Sequence, residues 1–332
     1  MLNSIIVMDP VFVNEVYTKD MQKKLSELTN IVSDPISKVE LLENLELLKD
    51  VDVIFSGWGG PKIDQNVIDH APNLKMVFYA AGTIKSIVTK EFWNQGIRIT
   101  TANSANAIPV AEFTLACTIL GLKNTIAMQN MIKNDRTYPK PGTRNIKGGF
   151  KPKVGLISLG AIAQYTLKLF KNFDYEILAF DPFISENDAQ KLGVKLVDLD
   201  TIFKESAVVS LHTPLLDSTR GMIKKTHFLS MKENSTFINT ARGAVVNEIE
   251  MIEALQSRND ITAFLDVVHP EPPAIDSPLY EMDNIFLTPH IAGSEGSEVA
   301  RMGQLMLDEF QLYLDKKELE YEVSKKEFER MA

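Results

Sequence analysis

The stretch Val154-Gly155-Leu156-Ile157-Ser158-Leu159-Gly160-Ala161-Ile162-Ala163 runs from a β-branched segment through a glycine turn into a helical pattern. Asp181 closes the next apolar run, 21 residues after Gly160. A strand, a tight turn and a helix start, in that order, make a phosphate cradle, because unpaired backbone N–H groups and the helix dipole both face the anion. The Gly-x-Gly-x-x-Gly/Ala pattern of dinucleotide sites uses its middle glycine for close approach of the pyrophosphate and a small third residue for packing. Here the three positions are Ser158, Gly160 and Ala163, so the pattern departs at the residue that serves the tight turn. On its own such a turn reads equally well as an ordinary strand–turn–helix. Asp181 tips the balance: its carboxylate can accept both ribose hydroxyls of NAD and repels a 2′-phosphate, and neither Pro182 nor Phe183 offers a cation for one. NAD is therefore expected rather than NADP.

Outward from this turn, short β-branched runs alternate with segments of helical period. Strands are expected at Lys153 to Ser158, Glu176 to Phe180, Val208 to Leu211, Thr236 to Asn239, Ile261 to Asp266 and Ile285 to Leu287. An earlier series comprises Ser4 to Met8, Val51 to Ser56, Leu74 to Tyr79 and Ile97 to Thr100. Between strands lie helical patterns such as Met21, Leu25 and Leu28, or Asn247 to Arg258 with Ile249, Ile252 and Leu255 on one apolar face. Such alternation specifies α/β architecture with two parallel sheets. Residues 134–150 hold a Pro, Gly and basic loop without periodicity. A second boundary candidate is Ala105-Asn106-Ala107-Ile108-Pro109, ahead of a helix from Val110 to Lys123. A helical pattern spans Glu295 to Lys316, and the charged end, Lys317 to Ala332, reads as a solvated tail or arm.

Composition narrows the function classes. With 332 residues the chain has room for about two domains, and 45% hydrophobic with 24% charged residues is the usage of a folded globular protein, not a disordered one. Its net charge of −9 argues against a nucleic-acid surface or an anionic membrane, and no basic patch offsets it. Ala107 to Leu122, the longest apolar run, is broken by Pro109 and Glu112 and is shorter than the roughly 20 residues of a bilayer span, so it reads as a buried helix. The start, Met1-Leu2-Asn3-Ser4-Ile5-Ile6-Val7-Met8-Asp9, lacks the basic region of a secretory signal. Cys117, the one cysteine, lies in an apolar run and reads as a small core residue, with the reducing cytoplasm as the expected compartment.

Three segments each follow an expected strand: Asn239-Thr240-Ala241-Arg242-Gly243, Asp266-Val267-Val268-His269-Pro270-Glu271-Pro272-Pro273 and Thr288-Pro289-His290-Ile291-Ala292-Gly293. Ligands of open parallel sheets sit at the carboxyl ends of the strands, so Arg242, Glu271 and His290 can converge there although 29 and 19 residues separate them. Singly, each has a plainer reading: a surface arginine, a loop carboxylate, a turn histidine. Their ordered occurrence favours a site. Arg242 would fork onto a carboxylate and reach a 2-oxo oxygen, a geometry lysine does not reproduce. His290 would protonate that oxygen as hydride arrives, and Glu271, bonded to the imidazole, would orient it and favour its charged form. His269 reads as a loop residue, and His70, His212 and His227 as structural ones.

With Val110-Ala111-Glu112-Phe113-Thr114 and His212-Thr213-Pro214-Leu215, these segments make the chain resemble the D-isomer-specific 2-hydroxyacid dehydrogenases from about Val51 to Phe310. The resemblance implies Arg242, Glu271 and His290 as the catalytic set. It further implies cofactor contacts at Thr83, Ala161, Ile162, Thr213, Thr240, Ala241, Arg242, Asp266, His290 and Gly293, alongside Ser158, Gly160 and Asp181 from the turn, with Asp266 holding the nicotinamide carboxamide. Backbone amides of Ala81 and Gly82 are placed to grip the substrate carboxylate, and Trp58 to wall the pocket; a buried tryptophan in a glycine-rich turn is the plainer reading of the last. No metal enters this reading. Two Rossmann-like domains are implied: a central NAD domain, 106–293, inserted in a flavodoxin-like catalytic domain of 1–105 and 294–332. Their hinges would lie near Asn103 to Asn106 and His290 to Ser294, with substrate in a cleft between, and a homodimer formed through the cofactor domain. The expected activity is hydride transfer between NAD(H) and a small 2-oxoacid or (R)-2-hydroxy acid, such as glyoxylate or hydroxypyruvate. 3-Phosphoglycerate is disfavoured because Ala80 stands where some phosphoglycerate members have arginine. The competing reading is a catalytically weak NAD(H)-sensing binding protein on the same scaffold; a formate dehydrogenase is weaker, since that branch has glutamine at the position of Glu271.

Overall fold

The computed structural model describes residues 1–329 and 331. Its chain divides into two compact units, Met1–Asn106 with Ser294–Ala332, and Ala107–Gly293.

The first unit holds a five-stranded parallel sheet of β1 (Asn3–Val7), β2 (Asn30–Ile31), β3 (Val53–Ser56), β4 (Met76–Tyr79) and β5 (Arg98–Thr101). The strand order β2-β1-β3-β4-β5 is that of doubly wound, flavodoxin-like sheets. Alternate residues explain why the strands read as unbroken apolar runs: Ile5, Val7, Ile54 and Val77 enter one core, while Ile6, Val53, Phe55 and Phe78 enter the other. Both faces are therefore covered. The helix Val299–Leu314 lies on the second face, where Phe310 meets Phe55 and Phe78 edge-on.

The second unit carries seven parallel strands: β6 (Phe150–Ile157), β7 (Asp174–Phe180), β8 (Lys195–Leu196), β9 (Val208–Leu211), β10 (Thr236–Asn239), β11 (Thr262–Leu265) and β12 (Ile285–Leu287). Their order is β12-β11-β10-β9-β6-β7-β8. Strand order reverses between β6 and β9, and that switch point opens a crevice at the carboxyl ends of the strands. Leu156, Ala179, Val208 and Ile238 line one core of this sheet and Ile157, Leu178, Val209 and Phe237 the other.

Four expectations need correction. The helix expected from Val110 begins earlier, at Asn103, and runs to Leu122, so the division between units, after Asn106, falls inside a helix. Pro109 removes one backbone donor there without ending the helix. The same helix is long and apolar enough by composition to cross a membrane, and a little over half of its apolar window is buried, with Ile119 and Leu120 exposed. On the helix Glu248–Ser257 the buried face is Met251, Ala254 and Leu255, and Ile249 is exposed, because two residues back from Met251 is 200° round the helix. Finally, the charged end is not a solvated tail. Leu319 and Val323 are buried, Arg98 Nε donates to Glu322 Oε1 at 2.7 Å, and Lys325–Phe328 is helical. Its anchor is Glu309, whose buried carboxylate accepts the Glu320 and Tyr321 amides at 3.1 and 3.2 Å. Residues 330 and 332 of that stretch lie outside the described residues.

Candidate active site

Because every strand of the second unit is parallel, the turns after β6, β7, β9, β10, β11 and β12 emerge at one edge. After β10, buried Asn239 shapes the chain: its Oδ1 accepts the Ala241 amide at 3.0 Å and its Nδ2 donates to the Arg242 carbonyl at 3.3 Å. Arg242 Nη1 donates to the Ala241 carbonyl at 2.6 Å. Burial pulls the Arg242 guanidinium below its ordinary range, and the charge of Glu271 pushes the other way. That opposing influence places Glu271 within electrostatic reach of Arg242.

Gly243 explains how the two loops meet. A Cβ there would lie 2.0 Å from both the carbonyl carbon and oxygen of Val268, so no residue with a side chain fits without moving backbone. The loop after β11 thus passes directly against the loop after β10, and Glu271 follows three residues later. His290 Nδ1 lies 2.7 Å from Glu271 Oε1. An ionised carboxylate only accepts, so Nδ1 carries the proton and Nε2 is the nitrogen that points away to act on a substrate. Both side chains keep nearly half their surface exposed, 46% and 43%, which leaves the pair open to a ligand.

His290 adopts a left-handed backbone conformation, φ 58°. Such strain persists only where neighbours over-determine it, and Asp266 does so. Its buried carboxylate accepts Thr288 Oγ1 and the Ile291 amide at 2.8 Å and the Ala292 amide at 3.0 Å, while its carbonyl accepts the His290 amide at 3.0 Å. Sequence reasoning placed Asp266 against a cofactor; its grip on the histidine turn has no signal in the sequence, since all of its partners come 22 to 26 residues later. Thr240 is buried beside Thr114, 3.5 Å between hydroxyls, and Ala241 and Gly293 flank the same loops.

At the switch point, Ser158 also sits in the left-handed region, φ 74°. The serine thus occupies the backbone conformation that favours glycine. The Leu159 amide donates to Asp181 Oδ2 at 2.8 Å and the Phe183 amide to Oδ1 at 2.8 Å, with the Ser158 hydroxyl 3.4 Å from Oδ2. Asp181 therefore closes the turn, and Oδ1, which has one donor where Oδ2 has two, keeps a lone pair for a further donor. Gly160 is the exposed N-cap of the helix Ala161–Phe170, and a Cβ there would meet nothing within 4 Å. Across the switch point, Thr213 Oγ1 donates to the Ile157 carbonyl at 3.4 Å, and His212 is buried with Nε2 on Ser210 Oγ at 3.0 Å and Nδ1 unpartnered among the described residues. An open helix start, a carboxylate acceptor at the end of β7 and an orphaned buried nitrogen nearby fit a dinucleotide.

Trp58, Ala81, Gly82 and Thr83 belong to the first unit. Trp58 packs edge-on against Phe12, centroids 5.1 Å apart, and its carbonyl accepts the Asp9 amide at 2.9 Å. The Ala81 amide donates to the Tyr79 carbonyl at 2.9 Å, so of the two amides expected to grip a carboxylate, Ala81's is already engaged. Cys117 is buried, and burial raises its thiol to about 12, far from a reactive thiolate.

Residues 115–292 match the family model described as D-isomer specific 2-hydroxyacid dehydrogenase, NAD binding domain. The chain belongs to the D-isomer specific 2-hydroxyacid dehydrogenases. It is 32% identical over 297 residues to a hydroxypyruvate reductase of Thermotoga maritima, covering 88% of this chain and 94% of that one. It is also 32% identical to a D-3-phosphoglycerate dehydrogenase of Archaeoglobus fulgidus, over 75% of this chain; that alignment spans 47% of the relative, so the chain accounts for about half its length. A crystal structure of a phosphoglycerate oxidoreductase from Rhizobium etli superposes with a TM-score of 0.81 at 18% identity, covering 98% and 99% of the two chains, which establishes the shared two-domain fold. Within this dehydrogenase family's NAD-binding domain fall Arg242, Glu271 and His290 together with the turn at Gly160.

Proposed function

We propose that the protein transfers hydride between NAD(H) and a small 2-oxoacid, glyoxylate or hydroxypyruvate being the class, with formation of the (R)-2-hydroxy acid in the reducing direction. The observation that carries this reading is the His290–Glu271 pair, 2.7 Å apart, beside a half-buried arginine at one sheet edge. Bound NADH supplies the hydride. The helix start at Gly160 and the carboxylate of Asp181 would hold the dinucleotide, with Thr213, Thr240, Ala241, Asp266 and Gly293 lining the remainder. Arg242 forks onto the substrate carboxylate and polarises the 2-oxo group. His290 delivers its Nε2 proton to the carbonyl oxygen, and Glu271 holds the imidazole and balances the positive charge the ring carries before transfer.

We read the assembly as a homodimer. Ile119, Leu120, Ile132, Tyr138, Ile146 and Phe150 are exposed apolar residues of the second unit, and burying them against a second copy removes a surface that water disfavours. Sedimentation velocity separates dimer from monomer. The single buried cysteine accords with a reducing cytoplasm.

The deciding experiment follows NADH absorbance with a panel of 2-oxoacids, and repeats it with NADPH. Turnover of glyoxylate or hydroxypyruvate with NADH is the expected result. NADH binding by calorimetry without turnover of any panel member would overturn the enzyme reading.

A further inference from the structure

The Glu271 loop has little to hold it. Pro270, Pro272 and Pro273 have no N–H, and residues 269–272 are exposed. Yet Glu271 must stay on His290 to within a few tenths of an ångström, since a loosely held group loses the geometry that makes it useful. After Glu271 the Tyr280 hydroxyl donates to the Pro273 carbonyl at a long 3.4 Å, and before it the shorter polar anchor is Glu248, the first residue of the helix Glu248–Ser257: its Oε2 accepts the His269 amide at 2.8 Å. That amide lies two residues before Glu271. Burial raises the carboxyl of the half-buried Glu248 above its ordinary range, against the hydrogen bond from the His269 amide, which lowers it. On the other side of the loop, backbone contact with Gly243 blocks inward movement at Val268. Glu248 thus holds from one direction a loop that Gly243 limits from another.

We propose that Glu248 is a positioning residue: by holding the His269 amide it keeps Glu271 hydrogen-bonded to His290. This rests on the dehydrogenase reading only for its kinetic consequence, because the Glu271–His290 contact exists in the protein without ligand. What the anchor needs is reach, not charge. Glu248→Gln keeps an acceptor oxygen at the same distance and retains the loop. Glu248→Asp keeps a negative charge at the helix start, where the dipole favours it, so the helix is preserved, but its acceptor falls short by about one C–C bond, ~1.5 Å.

The test compares wild type, Glu248→Gln and Glu248→Asp in two assays. Proton NMR of cofactor-free protein looks for the low-field Nδ1–H signal of His290, assigned by its loss in His290→Asn. Wild type and Glu248→Gln are expected to show it; Glu248→Asp is expected to lose or broaden it. In steady state with NADH and the best 2-oxoacid, Glu248→Asp is expected to lower kcat about tenfold with KM for NADH within about twofold of wild type, and Glu248→Gln to stay close to wild type. A Glu248→Asp protein with the wild-type signal, or a Glu248→Gln protein as impaired as Glu248→Asp, overturns the proposal. If wild type reduces no 2-oxoacid, the proposed function fails while the NMR comparison still decides the role of Glu248.

Discussion

Asp266 Oδ1 accepts the Ile291 amide at 2.8 Å and so fixes the chain one residue beyond His290. The same buried carboxylate holds Thr288 and Ala292, which brackets the histidine on both sides. In Asp266→Ala three donors lose their acceptor within a buried pocket, and each unsatisfied group costs about 1–3 kcal/mol. Part of that is recovered by water, so we expect a loss of about 3 kcal/mol in urea unfolding, with kcat falling as His290 leaves its left-handed conformation. Unfolding at the wild-type midpoint would show that the turn holds its shape without the carboxylate.

Arg242 and His290 divide binding from proton transfer, and their variants are expected to differ in kind. His290→Ala removes the proton donor alone: kcat falls about 10²- to 10⁴-fold, and NADH affinity measured by fluorescence stays near wild type. Arg242→Lys keeps the charge but loses the two-pronged contact, which is worth about 2 kcal/mol, or ~30-fold in kcat/KM for the 2-oxoacid. Retention of turnover by His290→Ala would remove this residue from the chemistry. An unaltered kcat/KM in Arg242→Lys would do the same for the fork.

Much of this arrangement is legible in the sequence, for reasons that also explain what is not. Strands such as Val208–Leu211 and Thr236–Asn239 stand out because both faces of a parallel sheet are buried, so all their residues but the terminal Asn239 are apolar or small. Arg242, Glu271 and His290 are legible because each follows such a strand, and parallel strands deliver their following turns to one edge. β2 and β8, two residues each, are too short to carry any period. The folded end is hidden for a different reason: its anchor is a buried glutamate, Glu309, in a helix more than ten residues earlier, and charge composition reads as solvation whatever the partner. The hold of Asp266 on the histidine turn, and the roles of Gly243 and Glu248, are hidden likewise, because each acts largely through backbone contacts that leave no side-chain pattern.

Ser158 gives a stability prediction with a definite sign. A residue with a Cβ at φ 74° carries a steric cost of roughly 1–2 kcal/mol that glycine escapes, and glycine in turn gains about 0.4–1 kcal/mol of freedom in the unfolded chain. The difference leaves Ser158→Gly more stable by up to about 1.5 kcal/mol, while the Leu159–Asp181 bond that closes the turn is untouched. Ser158→Val, with a branched Cβ, is expected to go the other way. Thermal unfolding ranks the three proteins; Ser158→Gly melting below wild type would mean that the hydroxyl, 3.4 Å from Asp181, outweighs the backbone strain.

His212 makes stability depend on pH. Burial pushes its imidazole down to about 4, so the folded protein keeps it neutral, while the unfolded chain titrates near the ordinary value of about 6.5. A depressed base contributes stability that is present above the unfolded value and is lost as pH falls toward the folded one. Between pH 8 and pH 5 the unfolded state gains a proton that the folded state refuses, and the linkage comes to about 2 kcal/mol. His212→Gln removes the titration and keeps a polar side chain for Ser210, which bonds the ring at 3.0 Å in the native chain. The difference in urea stability between wild type and His212→Gln is therefore expected to shift in the variant's favour by about 2 kcal/mol from pH 8 to pH 5. Parallel pH curves for the two proteins would place the imidazole in contact with water and would take away the orphaned nitrogen on which part of the dinucleotide fit relies.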